Sequence, residues 1–453
     1  MTNLPFGFGP SDPDEHGENT PFGQGGENPF GGPGAFDFGQ LGQMLSQLGQ
    51  MLSQAGSSSG PVNYDLAKQI AVQRLTPSGL GGSDASDTDR VNEAVHLAEQ
   101  WLDPATALPA GAKNAQAWSA RDWVERTLST WQRLCDPVAR QVSGAWVEAL
   151  PAEAKEAAGP LLSIVGQMGG MAFGSQLGGA LAQLGSEVLT STDVGLPLGP
   201  EGTAALLPAN IEKFTAGLER PASEVMVFLA AREAAHHRLF TQVPWLRQRL
   251  LATVEEFAHG IKVDTSALEQ LATQVDPSNP ETIEQAMSSG LLEPQTTEAQ
   301  KVALSRLETL LALVEGWVDV VVADAVGDRL PGADALRETL RRRRASGGPA
   351  EQTFATLVGL ELRPRRLRAA SALWRLVGDR HGIKVRDGVW ASPDLVPTAA
   401  DLDEPLDFAE HLGTTPELLA DPMAELERTE RAEQAERDKQ EPDSPETDES
   451  DDK

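Results

Sequence analysis

Residues 221–245 read PASEVMVFLAAREAAHHRLFTQVPW, and this stretch places catalytic residue types together on one predicted helix. Glu233 and His236 are three residues apart, so they lie on the same side of that helix about one turn from each other. His237 follows directly. A carboxylate and an imidazole on one helix face are typical of a site that moves protons or holds a metal.

The spacing matches most of the helix motif of a zinc hydrolase, His-Glu-x-x-His. In that motif two imidazoles at i and i+4 hold the metal, and the glutamate beside the first activates the bound water. The first histidine position is occupied here by Arg232. A guanidinium stays protonated at ordinary pH and has no lone pair for a metal. The motif thus indicates zinc chemistry and at the same time removes one of the ligands.

Charge and cysteine content limit the expected partners and compartment. The chain has 453 residues and carries 37 basic and 67 acidic residues, a net charge of −30, which repels nucleic acid and anionic lipid. We therefore expect neither nucleic acid nor a membrane as a partner. Cys135 is the single cysteine, so no intrachain disulfide can form, and a reducing compartment is favoured. The first residues lack a basic stretch followed by an apolar run, which predicts a cytoplasmic location without a secretory signal.

The two ends of the chain differ in composition from its middle. Residues 1–60 are rich in Gly, Pro, Ser, Gln and Phe, and they contain the repeat LGQMLSQ at 41–47 and 48–54. Residues 421–453 are dense in Asp and Glu and lack aromatic residues. Both compositions are typical of disorder. They leave one expected body at 62–415, between a Gly/Pro/Phe-rich segment and an acidic tail.

Periodicity predicts that this body is mainly α, a multi-helix domain with minor extended segments. Helices are expected to open at Asn63 or Asp65 and at Ser86 or Asp87. A third helix covers about 118–134, carries a Trp stripe that we assign to the core, and is expected to be interrupted at Pro137. Further helices are expected from Pro244 to Gly260, at about 297–326, up to the basic run 341–344 and at about 364–379.

Residues 157–186 carry no charge over thirty positions and are long enough to cross a bilayer. Gln167, Gln176 and Gln183 are costly in lipid, and no basic flank sets an orientation. Glycines recur every fourth residue from 166 to 178 and make a smooth stripe on which another helix can pack closely. We therefore predict a buried helix of a soluble domain.

Two segments predict extended structure. The first, DVGLPLGPEGTAALLPAN at 193–210, is broken by glycine and proline and is expected to supply short strands near the site. The second, VRDGVWASPDLVPT at 385–398, is expected to form an extended pair around Asp387-Gly388.

The helix at 297–326 carries carboxylates within a continuous apolar sequence. Glu315 and Asp319 are one turn apart on one of its faces. An unpaired buried charge is costly, so these carboxylates require partners.

Two separated stretches together resemble the actinobacterial zincin-like metallopeptidase family. They are REAAHHRLFTQVPW at 232–245 and VEGWVD at 314–319. The resemblance implies a zincin-like fold, a zinc-dependent hydrolase activity on peptides, Glu233 as general base, and His236 and Glu315 as zinc ligands. Arg232 departs from the family motif. His237 and Asp319 are weaker ligand candidates, since His237 is rotated about 100 degrees around the helix; His259 and His381 would have to converge through the fold.

Two interpretations remain open at this point. In the first, His236 and Glu315 hold zinc with a third ligand from elsewhere, and Glu233 activates water. In the second, Arg232 projects where the first imidazole would lie and pairs with Glu315 or Asp319, so that a fixed positive charge replaces the metal. The second interpretation predicts an inactive zincin-fold protein that binds a peptide or protein partner.

Overall fold

The computed structural model describes residues 60–76, 84–148, 159–260, 297–345 and 366–414. The predictions of disorder for the N-terminal segment and the acidic tail, with the LGQMLSQ repeat, lie outside these residues. The helices, in chain order, are α1 Tyr64–Leu75, α2 Ala85–Leu102, α3 Ala120–Glu148, α4 Gly159–Gly185, α5 Pro208–Ala216, α6 Ala222–Gln242, α7 Pro244–His259, α8 Glu298–Val326, α9 Ala333–Ala345, α10 Leu367–His381, α11 Ile383–Gly388, α12 Ala399–Asp403 and α13 Pro405–Thr414.

The prediction of a mainly α domain is confirmed. Two short strands, β1 Asn114–Ala117 and β2 Thr203–Leu206, pair in parallel with Asn114 opposite Thr203. β2 lies in the segment predicted to be extended, whereas β1 was not predicted, because its four residues, Asn-Ala-Gln-Ala, are few and include no β-branched or aromatic side chain.

Helix α8 lies at the centre of the packing. It begins after Thr297, whose side chain accepts a hydrogen bond from the Gln300 amide while the Gln300 side chain accepts one from the Thr297 amide. Helices α2, α6, α7 and α10 all pack against α8. Helix α6 contacts α2, α7 and α8 and is buried from Val225 to Phe240 on nearly every face. The two helices that carry the predicted site residues are therefore neighbours in the core.

Two predictions about the chain path were wrong. Helix α3 continues through Pro137, where the buried residues Trp131, Leu134 and Val138 hold both sides of the proline against the core. The segment at 385–398 begins as a helix, α11, followed by a 3-10 turn at Val389–Ala391.

Asp387 explains why the second segment is helical. Its carboxylate accepts hydrogen bonds from the Thr106 hydroxyl, the Ala107 amide and the Trp317 indole, at 2.6, 2.6 and 2.8 Å. These long-range bonds outweigh the local turn preference of the Asp-Gly pair. The start of α2 also differs by two or three residues, since Asp84 rather than Ser86 or Asp87 caps the helix.

Helix α4 packs its glycine stripe against α1, as the predicted smooth surface suggests. No helix among the described residues is long and apolar enough to span a membrane. A Cβ added at Gly174 would lie 2.4 Å from the Asn63 carbonyl oxygen, so only glycine permits this approach.

Replacing Gly174 with alanine is expected to destabilise the protein by about 1–3 kcal/mol, because α1 must shift away from α4. Gly166 is a matched control on the same helix: it is exposed, and a Cβ there would meet nothing within 4 Å. Gly166→Ala is expected to be neutral or to stabilise by up to about 1 kcal/mol. Urea unfolding of both variants measures the difference, and equal stabilities would refute the close-contact explanation.

Candidate functional site

The predicted site residues lie on α6 and α8, at the point where these two helices meet in the core. Arg232, Glu233, His236 and His237 follow one another along α6, and Glu315 faces them from α8. The side chain of Arg232 is 11% exposed and that of Glu315 is 8% exposed. The site is therefore an internal ionic cluster, in which each charge must be balanced by a neighbour.

Arg232 pairs directly with Glu315. Its Nη2 atom donates to Oε2 of Glu315 at 2.7 Å. The other carboxylate oxygen, Oε1, lies 3.0 Å from Nε2 of His236. One guanidinium and one imidazole thus contact the two oxygens of a single buried carboxylate, and we refer to Arg232, His236 and Glu315 as the Arg232 cluster.

The contacts of His236 show which of its two ring nitrogens carries a proton. Nδ1 of His236 lies 2.8 Å from the backbone carbonyl oxygen of Arg232, which can only accept. Nδ1 therefore carries a proton. The orientation with Nδ1 on a carbonyl and Nε2 aimed at the site is that of a metal-binding histidine, although Nε2 here faces a carboxylate.

Glu233 does not take part in this cluster and points to a different set of partners. Its carboxylate is fully buried and accepts hydrogen bonds from the Ser191 and Thr192 hydroxyls. The Thr192 and Ala205 amides donate to it at 3.2 and 3.1 Å, and Nε2 of His237 lies 3.3 Å away. Burial alone raises the pKa of Glu233, but the bonds from His237, Ser191 and Thr192 together lower it to about 2. A carboxylate with so low a pKa is a weak general base at neutral pH.

The weaker candidates were not brought to the cluster as ligands. His237 faces Glu233 instead of Glu315, as its rotation around the helix implies. His259, at the end of α7, contacts the backbone carbonyl oxygen of Glu255. His381, at the end of α10, contacts the backbone carbonyl oxygen of Ala409.

Asp319 is held by arginines from α9. Arg337 donates to both of its oxygens, at 2.7 and 2.5 Å, and Arg341 donates at 2.6 Å. The Ser371 hydroxyl adds a bond at 3.0 Å. Burial raises the pKa of Asp319, but the hydrogen bond and charge of Arg337, with the charges of Arg232 and Arg341, outweigh burial and lower it. Asp319 therefore belongs to a second ionic group, which it forms with Arg337 and Arg341.

The segment before β2 contributes residues that the sequence did not identify as part of the site. Ser191 and Thr192 hold Glu233, and Gly195 passes directly over Glu315. The φ angle of Gly195 is +82°, and an added Cβ would lie 2.9 Å from Oε1 of Glu315. The segment 193–210 was expected to supply short strands near the site, but no sequence signal indicated these side-chain contacts.

A zinc ion does not fit the residues of the Arg232 cluster. Within the described residues, no group of three or more His, Cys, Asp or Glu side chains could hold a metal ion. A catalytic zinc ordinarily needs three protein ligands, and only His236 and Glu315 are available. The guanidinium of Arg232 already neutralises Glu315, and a dication beside it would be repelled. Zinc does not fit because Arg232, which cannot bind a metal, occupies the position of the first ligand.

A small depression opens beside Glu233, where the end of α6 meets the start of α7 and the segment before β2. Its walls include Ser191, Thr192, His237, Phe240 and Arg247, together with the glycine- and proline-rich stretch 197–202. The Ser191 and Thr192 hydroxyls and Nε2 of His237 are bound to Glu233, which leaves the Phe240 ring, Thr241 and the Arg247 guanidinium as the other side-chain walls of the depression.

Comparisons with known proteins identify the fold and the family. The chain is similar to the crystal structure of a candidate hydrolase with a novel fold from Chloroflexus aurantiacus, with 19% identity, a TM-score of 0.53, and coverage of 78% of this chain and 99% of that one. That similarity shows a shared fold. A comparison with curated proteins found no match. The model of the zincin-like metallopeptidases matches residues 62–409, which is most of the chain, and the protein therefore belongs to the zincin-like metallopeptidase family.

Proposed function

We propose that this protein is a zincin-like family member that binds a peptide or protein partner without hydrolysing it. In this proposal Arg232 supplies the positive charge that zinc supplies in a complete motif. The contact of 2.7 Å between Arg232 Nη2 and Glu315 Oε2 carries the proposal, because it occupies the acidic ligand with a cation that cannot activate water.

The state of Glu233 supports the same proposal. A general base must be within reach of the proton that it abstracts. Both oxygens of Glu233 already accept hydrogen bonds, from Ser191 and Thr192 in the segment before β2 and from the Ala205 amide in β2. Glu233 therefore acts as a structural anchor that holds this segment against α6.

The depression beside Glu233 is the proposed binding surface. It combines the apolar ring of Phe240 with the polar groups of Thr241, His237 and Arg247, the mixture that orients a peptide in a pocket. A cytoplasmic location is also part of the proposal. It is supported by Cys135, whose thiol is buried and unpaired and whose pKa burial raises.

A zinc-dependent hydrolase is the second candidate function. Its supporting observation is the orientation of His236, which donates from Nδ1 to a carbonyl and aims Nε2 at Glu315, as a ligand would. Glu233 would then be the base, with His236 and Glu315 as ligands, and Arg232 would have to leave Glu315.

Incubation with a mixture of unstructured peptides separates the two functions. Mass spectrometry is used to detect both retained peptides and newly cleaved ends, with and without added zinc. We expect the protein to retain peptides without cleaving them, both with and without zinc. Arg247→Ala is expected to retain less peptide, while its free energy of unfolding stays the same. Cleavage that a chelator abolishes and that added zinc restores would establish the hydrolase instead.

A further inference from the structure

Helices α9 and α10 carry an excess of positive charge in a protein whose net charge is −30. Over Ala333–Ala345 and Leu367–His381 the sequence has eight arginines and three acidic residues, an excess of five. The rest of the sequence therefore carries a net charge of −35, which is −30 minus 5. A locally basic surface on such a protein attracts acidic segments.

Asp319 alone cannot neutralise the two arginines that pair with it, although the charges of Asp334 and Asp324 also act on Arg337. It pairs with both Arg337 and Arg341, so one carboxylate faces two guanidinium groups. Arg341 uses one Nη atom for this contact, and its Nε atom is buried without a hydrogen-bond partner. A buried N–H donor without an acceptor is costly, and an added carboxylate would satisfy it on a small movement of the side chain.

The neighbouring charges increase the excess. The exposed Arg368 on α10 and the exposed Arg342 on α9 flank Glu338, whose pKa is lowered by the hydrogen bond from Arg342 and by the charges of Arg342, Arg368 and Arg341. We name Arg337, Arg341, Arg342 and Arg368 the Arg341 surface. The remaining arginines of the two helices for which ion pairs are seen contact other carboxylates, namely Arg343 with Asp193, Arg375 with Asp324 and Arg380 with Glu410.

The composition and starting point of the C-terminal segment match this surface. Residues 421–453 contain fourteen acidic and five basic residues, a net charge of −9. Helix α13 packs against α10 and ends at Thr414, so the chain leaves the described body beside the helix that carries Arg368. His381, at the end of α10, contacts the Ala409 carbonyl oxygen of α13 and marks the point where the two helices meet. Arg368 lies thirteen helical residues from His381, roughly 20 Å, a distance that about six extended residues cover. The 39 residues after Thr414 (453 minus 414) exceed that length.

We propose that the acidic C-terminal segment, residues 421–453, binds the Arg341 surface of its own chain. The contact is between carboxylates and guanidinium groups, so it is screened by salt. This proposal rests on the charges of α9 and α10 and is independent of the proposed function of the Arg232 cluster.

Zero-length cross-linking of the full chain tests the proposal. Arg368→Lys retains the charge and introduces an amine that a carbodiimide can couple to a carboxylate within contact distance. Arg140→Lys, on an exposed position of α3, is the matched control. We expect peptides that join the lysine introduced at 368 to residues 421–453, a loss of these products in 1 M salt, and a lower yield when Arg341→Gln is added. The control lysine is expected not to join that segment.

Two outcomes would overturn the proposal. The first is equal coupling of both introduced lysines to residues 421–453, which would reflect random encounters. The second is coupling only between isotope-labelled and unlabelled chains in a mixture, which would make a second copy the source of the bound segment. The unfolding free energy of Arg368→Lys and Arg341→Gln, measured in parallel, ensures that the comparison is made on folded protein.

Discussion

Replacing Arg232 with alanine is expected to lower the free energy of unfolding by about 3–5 kcal/mol, because the change leaves the charge of Glu315 buried without its main partner. The side chain of Glu315 is only 8% exposed, so water cannot replace the guanidinium. Urea unfolding at neutral pH measures the loss.

Arg140 provides the control for this experiment. It is also paired with a carboxylate, that of Asp136 at 2.9 Å, but its side chain is 65% exposed. Arg140→Ala is expected to cost less than about 1 kcal/mol. The double variant Arg232→Ala with Glu315→Gln should recover part of the lost stability, since it removes the unpaired charge. A cost for Arg232→Ala no larger than that of the control would show that Arg232 does not balance Glu315.

The second large expected effect is an acid-dependent loss of stability that depends on Glu233. The folded-state pKa of this carboxyl is about 2, below its ordinary value of 4.5. Since the unfolded chain binds the proton more readily, the stabilisation is fully present above about pH 5 and is lost as the pH falls toward 2. The difference corresponds to roughly 3 kcal/mol. Unfolding free energies measured at intervals between pH 7 and pH 2 should therefore decline over this range.

Glu233→Gln isolates this contribution. Each carboxylate oxygen accepts a hydrogen bond from a backbone amide, of Thr192 or Ala205, so neither orientation of a glutamine amide satisfies both. The variant is expected to be strongly destabilised at pH 7, with a smaller deficit relative to the parent at pH 3. Parallel pH profiles for the two proteins would contradict the assigned role of Glu233.

The ionic pairing of α6 with α8 was accessible from the sequence because local spacing and charge sign determine it. Arg232 and His236 are one turn apart, and Glu315 lies in an apolar helix that requires a cation. Pairing of Arg232 with Glu315 was one of two predicted choices, and Asp319 was taken by Arg337 and Arg341 of α9 instead.

The role of Glu233 was not accessible in the same way. Its partners Ser191 and Thr192 lie about 40 residues before it, in a segment without regular periodicity. Motif spacing indicates which residues share a helix face, but it does not indicate which distant donors hydrogen-bond to a buried carboxylate. The helical turn at Asp387 was missed for the same reason, since its donors come from 106, 107 and 317.

Zinc binding by the parent protein and by Arg232→His, measured by equilibrium dialysis and metal analysis, tests the central claim most directly. The substitution restores the His-Glu-x-x-His motif and would provide three ligands with His236 and Glu315. If Arg232 replaces the metal charge, the parent retains no stoichiometric zinc, and Arg232→His gains about one zinc per chain that His236→Ala removes. Stoichiometric zinc in the parent protein, lost on His236→Ala or Glu315→Gln, would contradict the account.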